Sequence, residues 1–171
     1  MARNVEIKAR VRNRPSLVAR AQGIADGPPV EMVQDDTFFA CSNGRLKLRT
    51  FSESRGELIF YQRPDSTAPR ESQYVITPTS CPSKLRETLA SALGECGRVR
   101  KKRTLFRVGT TRIHVDEVEG LGDFMELEVV LSENQSVDEG VATARRVMRQ
   151  LGIRDQDLVD KAYVDLLKDG I

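Results

Sequence analysis

The sequence is short of the residues on which several common chemistries depend. It has no tryptophan, one histidine and three cysteines, and aromatic residues make up only 5% of it. Cys41, Cys81 and Cys96 are odd in number and lack paired metal-ligand spacing, so neither a disulfide framework nor a Cys/His zinc site is supported, and a reduced compartment is expected. No apolar run approaches the roughly 20 residues of a membrane span. The chain opens directly into MARNVEIKARV, with no apolar leader core and no transit-peptide composition, which sets the expectation of a cytoplasmic protein without a membrane partner. Net charge is only +2 although 30% of residues are charged. A bulk basic field for nucleic acid is absent, and the basic run Arg98–Arg103 has no interleaved aromatics for stacking bases. No nucleic-acid partner is expected. The length suits one domain, 1–171.

What the sequence does have is alternation. From Arg98 to Leu131 it reads as three strands of an antiparallel meander joined at Val108-Gly109-Thr110 and Glu119–Asp123. Lys101 and Arg103 share one face of the first. Arg112, His114 and Asp116 share one face of the second, with Ile113 and Val115 opposite. Glu126 and Glu128 share one face of the third, with Met125, Leu127 and Val129 opposite. The same period of two runs through Asn4–Val11, Arg45–Arg49, Glu57–Arg63 and Glu71–Thr77, and Val30–Ala40 reads as one or two short strands. A turn is expected at Ser54-Arg55-Gly56. Helices are expected from Arg14 to about Ala25, Ser83 to Glu95, Val137 to Leu151 and Asp155 to Leu167, with Gly152 as a stop. Eight strands and four helices in this order predict an α+β fold, a closed or nearly closed antiparallel barrel with flanking helices.

Amphipathic strands also describe an ordinary sheet with one solvated face. Two features argue for more. Arg45-x-Lys47-x-Arg49 and Lys101-x-Arg103 are unmixed cations, which repel unless an anion lies among them. Glu126-x-Glu128 with Asp116 on the adjoining strand gathers acids suited to a hard cation such as Mg²⁺ or Mn²⁺. A chain of phosphates bridged by metal satisfies both. His114 faces this charged side, as a nucleophile, a phosphate contact or a satisfied structural histidine. Tyr61 and Tyr163 read either as covers for a base or tunnel mouth or as core or surface residues.

Asn4-Val5-Glu6-Ile7-Lys8 resembles the ExExK signature of the CYTH superfamily, the triphosphate tunnel metalloenzymes. The resemblance continues through Asp36-Thr-Phe-Phe, Arg45–Arg49, Leu58–Pro64, Arg100–Arg103 and Arg112–Glu128, and is nearest to the branch of class IV adenylyl cyclases and thiamine triphosphatases. It implies an eight-stranded antiparallel β-barrel, a triphosphate tunnel, with Mg²⁺ or Mn²⁺ as cofactor. By position it implies Glu6, Asp116, Glu126 and Glu128 as metal-binding acids. Lys8, Arg45, Lys47, Arg49, Arg63, Lys101, Arg103 and Arg112 become triphosphate ligands. With Lys8 they make Glu6, Asp116, Glu126 and Glu128 the catalytic set. Asn4 departs from the motif, which begins with Glu; it keeps an oxygen and loses a charge. The implied activity is hydrolysis of tripolyphosphate or an organic triphosphate such as thiamine triphosphate. The alternatives are cyclisation of ATP to cyclic AMP and pyrophosphate, or non-catalytic triphosphate binding. The C-terminal helices would either cap the tunnel or make a homodimer contact.

Overall fold

The computed structural model describes residues 1–170. Its strands are β1 (Ala2–Arg10), β2 (Val30–Phe39), β3 (Arg45–Ser52), β4 (Arg55–Gln62), β5 (Arg70–Thr79), β6 (Glu95–Val108), β7 (Thr111–Val118) and β8 (Gly122–Leu131). They close into an antiparallel barrel in the order β1-β5-β4-β3-β2-β6-β7-β8. The helices are α1 (Arg14–Ile24), α2 (Pro82–Leu93), α3 (Val137–Leu151) and α4 (Tyr163–Asp169). None is long and apolar enough to cross a membrane. The segment expected as one or two strands is the single strand β2, irregular at Phe38/Phe39 where it meets β6. The β3–β4 turn falls at Glu53-Ser54, slightly before its expected position.

The alternating faces sort inside out. On β1, β7 and β8 the apolar residues Val5, Ile7, Ile113, Val115, Met125, Leu127 and Val129 point out of the barrel and pack with Leu17 and Ala21 of α1 and Ala144, Val147, Met148 and Leu151 of α3. Each such large aliphatic side chain contributes about 1.5–3 kcal/mol on burial, so the barrel is held chiefly from outside. α3 has the means to stay in place: a Ser136/Glu139 capping box opens it and Gly152, at φ 74°, closes it. At Gly140 a β-carbon would sit 2.7 Å from both Leu131 Cδ2 and Val5 Cγ2, so glycine permits the helix to touch the sheet. The charged faces are left to the lumen.

The expected helix Asp155–Leu167 does not form as one unit. A 3₁₀ turn at Asp155–Asp157 gives way to extended chain, and α4 begins only at Tyr163. The barrel rim competes for the backbone: Leu158 bridges Ala9, and the Val159 amide donates to the Lys8 carbonyl at 2.9 Å. Asp157 holds the turn by accepting from the Arg154 amide at 3.1 Å and pairing with Arg12 at 2.8 Å. The segment then runs across one end of the barrel. There Ala162, Tyr163 and Val164 join Phe38, Val99, Val118 and Phe124 in a second apolar cluster. Val164 lies directly on Gly97, where no β-carbon would fit. Of the two placements expected for the C-terminus, the fold shows the cap.

Candidate functional site

Behind the cap the barrel holds a cavity of about 300 Å³. All eight strands and the cap line it, and cationic side chains outnumber carboxylates eight to five. Cross-strand register builds the cluster from neighbours: Lys8 opposes Glu126 and Glu6 opposes Glu128 between β1 and β8. Arg112 opposes Glu128 and His114 opposes Glu126 between β7 and β8.

The floor is a buried ionic network. Arg103 donates from Nε and Nη2 to the two oxygens of Asp116 at 2.7 Å each, and from Nη2 to Glu126 at 2.6 Å. Tyr163 adds its hydroxyl to Asp116 at 2.8 Å. The Lys8 ammonium lies 3.1 Å from Glu126 and 3.9 Å from the Tyr163 ring centroid, a cation–π contact. Lys101 Nζ sits 3.9 Å from Asp116. Burial, reinforced by Arg103, lowers the Lys101 pKa to about 7, with Asp116 and Glu126 opposing. Burial likewise lowers Lys8, partly offset by Glu126.

On the facing wall Asp36 gathers two cations. Arg49 donates to it twice at 2.8 Å and Lys47 once at 2.9 Å. Burial favours the neutral acid here, yet Arg49 and Lys47 together hold the Asp36 carboxyl well below the usual range. Farther round, Arg63 bonds Glu6 at 2.8 Å, and Arg112 pairs with Glu128 at 2.8 Å. Glu6 goes the other way: burial raises its pKa, Arg63 opposes, and Glu128 and Glu126 push it further. A carboxylate destabilised by its neighbours favours a cation among them.

Several buried polar atoms have no protein partner among the described residues: Asn4 Oδ1, Gln34 Oε1, Arg70 Nε and Nη2, Arg112 Nε and His114 Nδ1. Unpaired guanidinium donors suit phosphate oxygens. His114, Glu126 and Glu128 each present one ligand atom, all within 4.8 Å of one another, beside the raised Glu6. This donor set fits a divalent cation. Burial, with Arg103 adding to it, depresses the His114 pKa to about 3, so the imidazole is neutral near pH 7.

Glu6, Lys8, Lys47, Arg49, Arg63, Lys101, Arg103, Arg112, Glu126 and Glu128 therefore line one cavity, as do Asn4, Tyr61 and His114. Two predicted residues do not. Asp116 is fully buried beneath the lining, its oxygens taken by Arg103 and Tyr163. Arg45 lies outside, hydrogen-bonded in fork fashion to Asp165 of α4, where it fastens the cap. Met32, Phe51, Tyr74, Ile76 and Leu105 give the cavity lining an apolar part, and Ile76 is 43% exposed.

Sequence reasoning passed over Asp36 as a site residue, although it shares strand parity with Gln34 and Phe38. Arg70, 4.0 Å from Glu6, had no signal beyond its place before a strand. Tyr163 reads from the sequence as a mouth cover or a core or surface residue, and its bond to Asp116 has no sequence signal.

A family model described as CYTH domain matches residues 2–163. A Methanocaldococcus jannaschii protein named "Putative adenylate cyclase" is 22% identical over 170 residues, covering 95% of this chain and 97% of its own. Among solved structures, the PH1012 protein of Pyrococcus horikoshii superposes with a TM-score of 0.84 at 22% identity, over 96% of this chain and 99% of that one. A Hippeastrum protein described as a "Putative adenylyl cyclase" with a dominant triphosphatase activity superposes with a TM-score of 0.63 at 15% identity, over 98% and 96%. At these identities the structural likenesses carry the fold.

Proposed function

The chain belongs to the CYTH domain family, and from that premise we propose that its lumen binds a triphosphate and hydrolyses it in a metal-dependent reaction. The substrate is inorganic tripolyphosphate or an organic triphosphate such as thiamine triphosphate. One observation carries the reading: a buried cavity with excess cations, the Nε of Arg112 among them unpartnered, beside a carboxylate cluster in which burial raises the Glu6 pKa despite its bond to Arg63.

Lys47, Arg49, Lys101, Arg103 and Arg112 hold phosphate oxygens, the arginines by forked donation and the lysines as point charges. Their low-dielectric setting strengthens each contact with charge that develops as a phosphoanhydride bond breaks. Glu6, Glu126 and Glu128 hold the divalent ion, Mg²⁺ or Mn²⁺, which supplies Lewis acidity and a further positive charge when bound. Asp116 acts one layer below: it clamps the Arg103 guanidinium in a single orientation. Lys8 fixes Glu126. Catalysis of this kind is positioning and electrostatics, and a water attacking the terminal phosphorus needs no nucleophilic side chain.

Two other readings rest on particular observations. The name of the Methanocaldococcus relative favours cyclisation of ATP, which further requires that the mouth hold adenine and ribose in one pose. Asn4, buried on the lumen with an unpartnered oxygen where the motif has Glu, favours a binder without chemistry. The test is a product assay with Mg²⁺ or Mn²⁺ on ATP, thiamine triphosphate and tripolyphosphate, resolving cyclic AMP, pyrophosphate and orthophosphate. Orthophosphate is expected. Cyclic AMP with equal pyrophosphate would replace hydrolysis with cyclisation. No product, with a tripolyphosphate-induced rise in melting temperature, would leave the binder, and turnover gained by Asn4→Glu would then locate the lost chemistry.

A further inference from the structure

We infer that His114 is itself a metal ligand, completing a mixed nitrogen–oxygen site with Glu126 and Glu128 that selects a first-row transition ion, Mn²⁺ or Co²⁺, over Mg²⁺. This rests on the reading of the lumen as a metal-assisted triphosphate site and specifies which ion it takes.

The geometry is built by β-sheet register. His114 and Arg112 lie on the inward face of β7, and β8 places Glu126 opposite His114 and Glu128 opposite Arg112. The three candidate ligand atoms fall within 4.8 Å of one another. Around one ion with bonds of about 2.1–2.2 Å, ligand atoms stand roughly 3 to 4.4 Å apart. A small rotamer adjustment therefore brings the trio onto a single centre. His114 Nδ1 is 4.0 Å from Glu128 Oε1, too far for a hydrogen bond but suitable for two ligands of one ion.

The imidazole also lacks the partner that a structural histidine has. It is 5% exposed, and its Nδ1 is among the buried atoms with no hydrogen bond in the protein. An unsatisfied buried polar atom costs about 1–3 kcal/mol, and coordination removes that cost. The chemistry of the set then dictates preference. Mg²⁺ takes oxygen ligands almost exclusively, whereas imidazole nitrogen suits transition ions, whose affinities rise from Mn²⁺ through Co²⁺. Glu126 and Glu128 supply the negative charge, which Lys8, Arg103 and Arg112 share in the empty site.

His114 is the only histidine in the chain, so tag-free protein gives an unambiguous test. Protein loaded with Mn²⁺ alone should show imidazole ¹⁴N modulation in pulsed electron paramagnetic resonance, assignable without mutagenesis. By direct titration Mn²⁺ should bind at least about tenfold tighter than Mg²⁺. His114→Gln should abolish the ¹⁴N signal and weaken Mn²⁺ about tenfold or more, with Mg²⁺ within about threefold of wild type. Mn²⁺ binding without ¹⁴N modulation in the wild-type protein would overturn the inference, whether or not the variant folds, as would unchanged Mn²⁺ affinity in a folded variant. Tripolyphosphate titrated into the same samples separates the two claims. If it raises the melting temperature while the ¹⁴N signal is missing, the lumen reading stands and the histidine ligand falls. If neither it nor metal binds, both fall.

Discussion

Replacing Asp36 by Asn keeps the shape of the wall and removes one charge. Asp36 is 1% exposed and accepts three hydrogen bonds from Lys47 and Arg49 at 2.8–2.9 Å. Without it two nearly buried cations face each other, with Lys101 close enough to add to the repulsion. Removing one partner of a buried ion pair costs about 3–5 kcal/mol, and a chain of this size loses about 2–4 °C of melting temperature per kcal/mol. The drop for Asp36→Asn is therefore about 6–20 °C, nearer the lower end because the amide oxygen still accepts. The same reasoning gives a second, opposite effect. Asp36 occupies the cations that a polyanion would neutralise, so tripolyphosphate should raise the melting temperature more in the variant than in wild type. Differential scanning fluorimetry at neutral pH and low salt, with and without tripolyphosphate, reads both. The pH dependence has a definite sign: the folded pKa of Asp36 is depressed, so its contribution is present above the unfolded value of about 3.9 and fades as pH falls below it. The two proteins should converge in acid. An unliganded variant melting within about 2 °C of wild type would refute the energetic argument, and an equal or smaller ligand shift would refute the competition argument.

Lys101 has a folded pKa of about 7 against about 10.5 for a free lysine. Burial disfavours its charged form first, Arg103 and Arg49 add repulsion, and Asp116 and Glu126 oppose them. Between those values the unfolded chain binds the extra proton, so stability rises with pH across that window, by on the order of 5 kcal/mol in full. Urea melts of wild type and Lys101→Met from pH 6 to 9 should show a wild-type deficit that shrinks as pH rises, and a constant difference would count against it. Tyr163→Phe removes a hydroxyl that donates to a buried carboxylate and should cost about 1.5–3 kcal/mol, with faster amide exchange at Val159 where the cap meets β1. Gly140→Ala forces a methyl group against Leu131 and Val5 and should cost about 1–3 kcal/mol in urea melts; a neutral result would mean that α3 does not sit on β1 and β8 as described.

Local pattern carried most of the strands because a period of two is set by each strand alone. Glu126 and Glu128 were legible as one face, as were Lys101 and Arg103. Which face turned inward was not, since closure depends on pairing β1 with both β5 and β8 across the length of the chain. Asp36 is legible only as part of a motif for a related reason: its importance comes from standing opposite Arg49 on β3, a fact of register. Asp116 looks equivalent to Glu126 in the sequence, but Arg103 from the neighbouring strand and Tyr163, in its approach from the far C-terminus, take its oxygens beneath the lining. The same approach ended the helix expected from Asp155. Helical periodicity there is real, but the rim of β1 offers the backbone other partners.

The cap crosses one end of the barrel, which leaves the other end as the way in. On the proposed function a linear phosphate chain would enter end-on with its terminal phosphate leading, any organic group trailing along Met32, Phe51 and Ile76. Its products would then leave as a queue. The trailing fragment would stand nearest the exit and depart first, and the orthophosphate cut from the leading end would depart last. Ordered release of this kind makes the last product compete with substrate for free enzyme and the first inhibit noncompetitively. The reverse pattern would require a second way out past Tyr163.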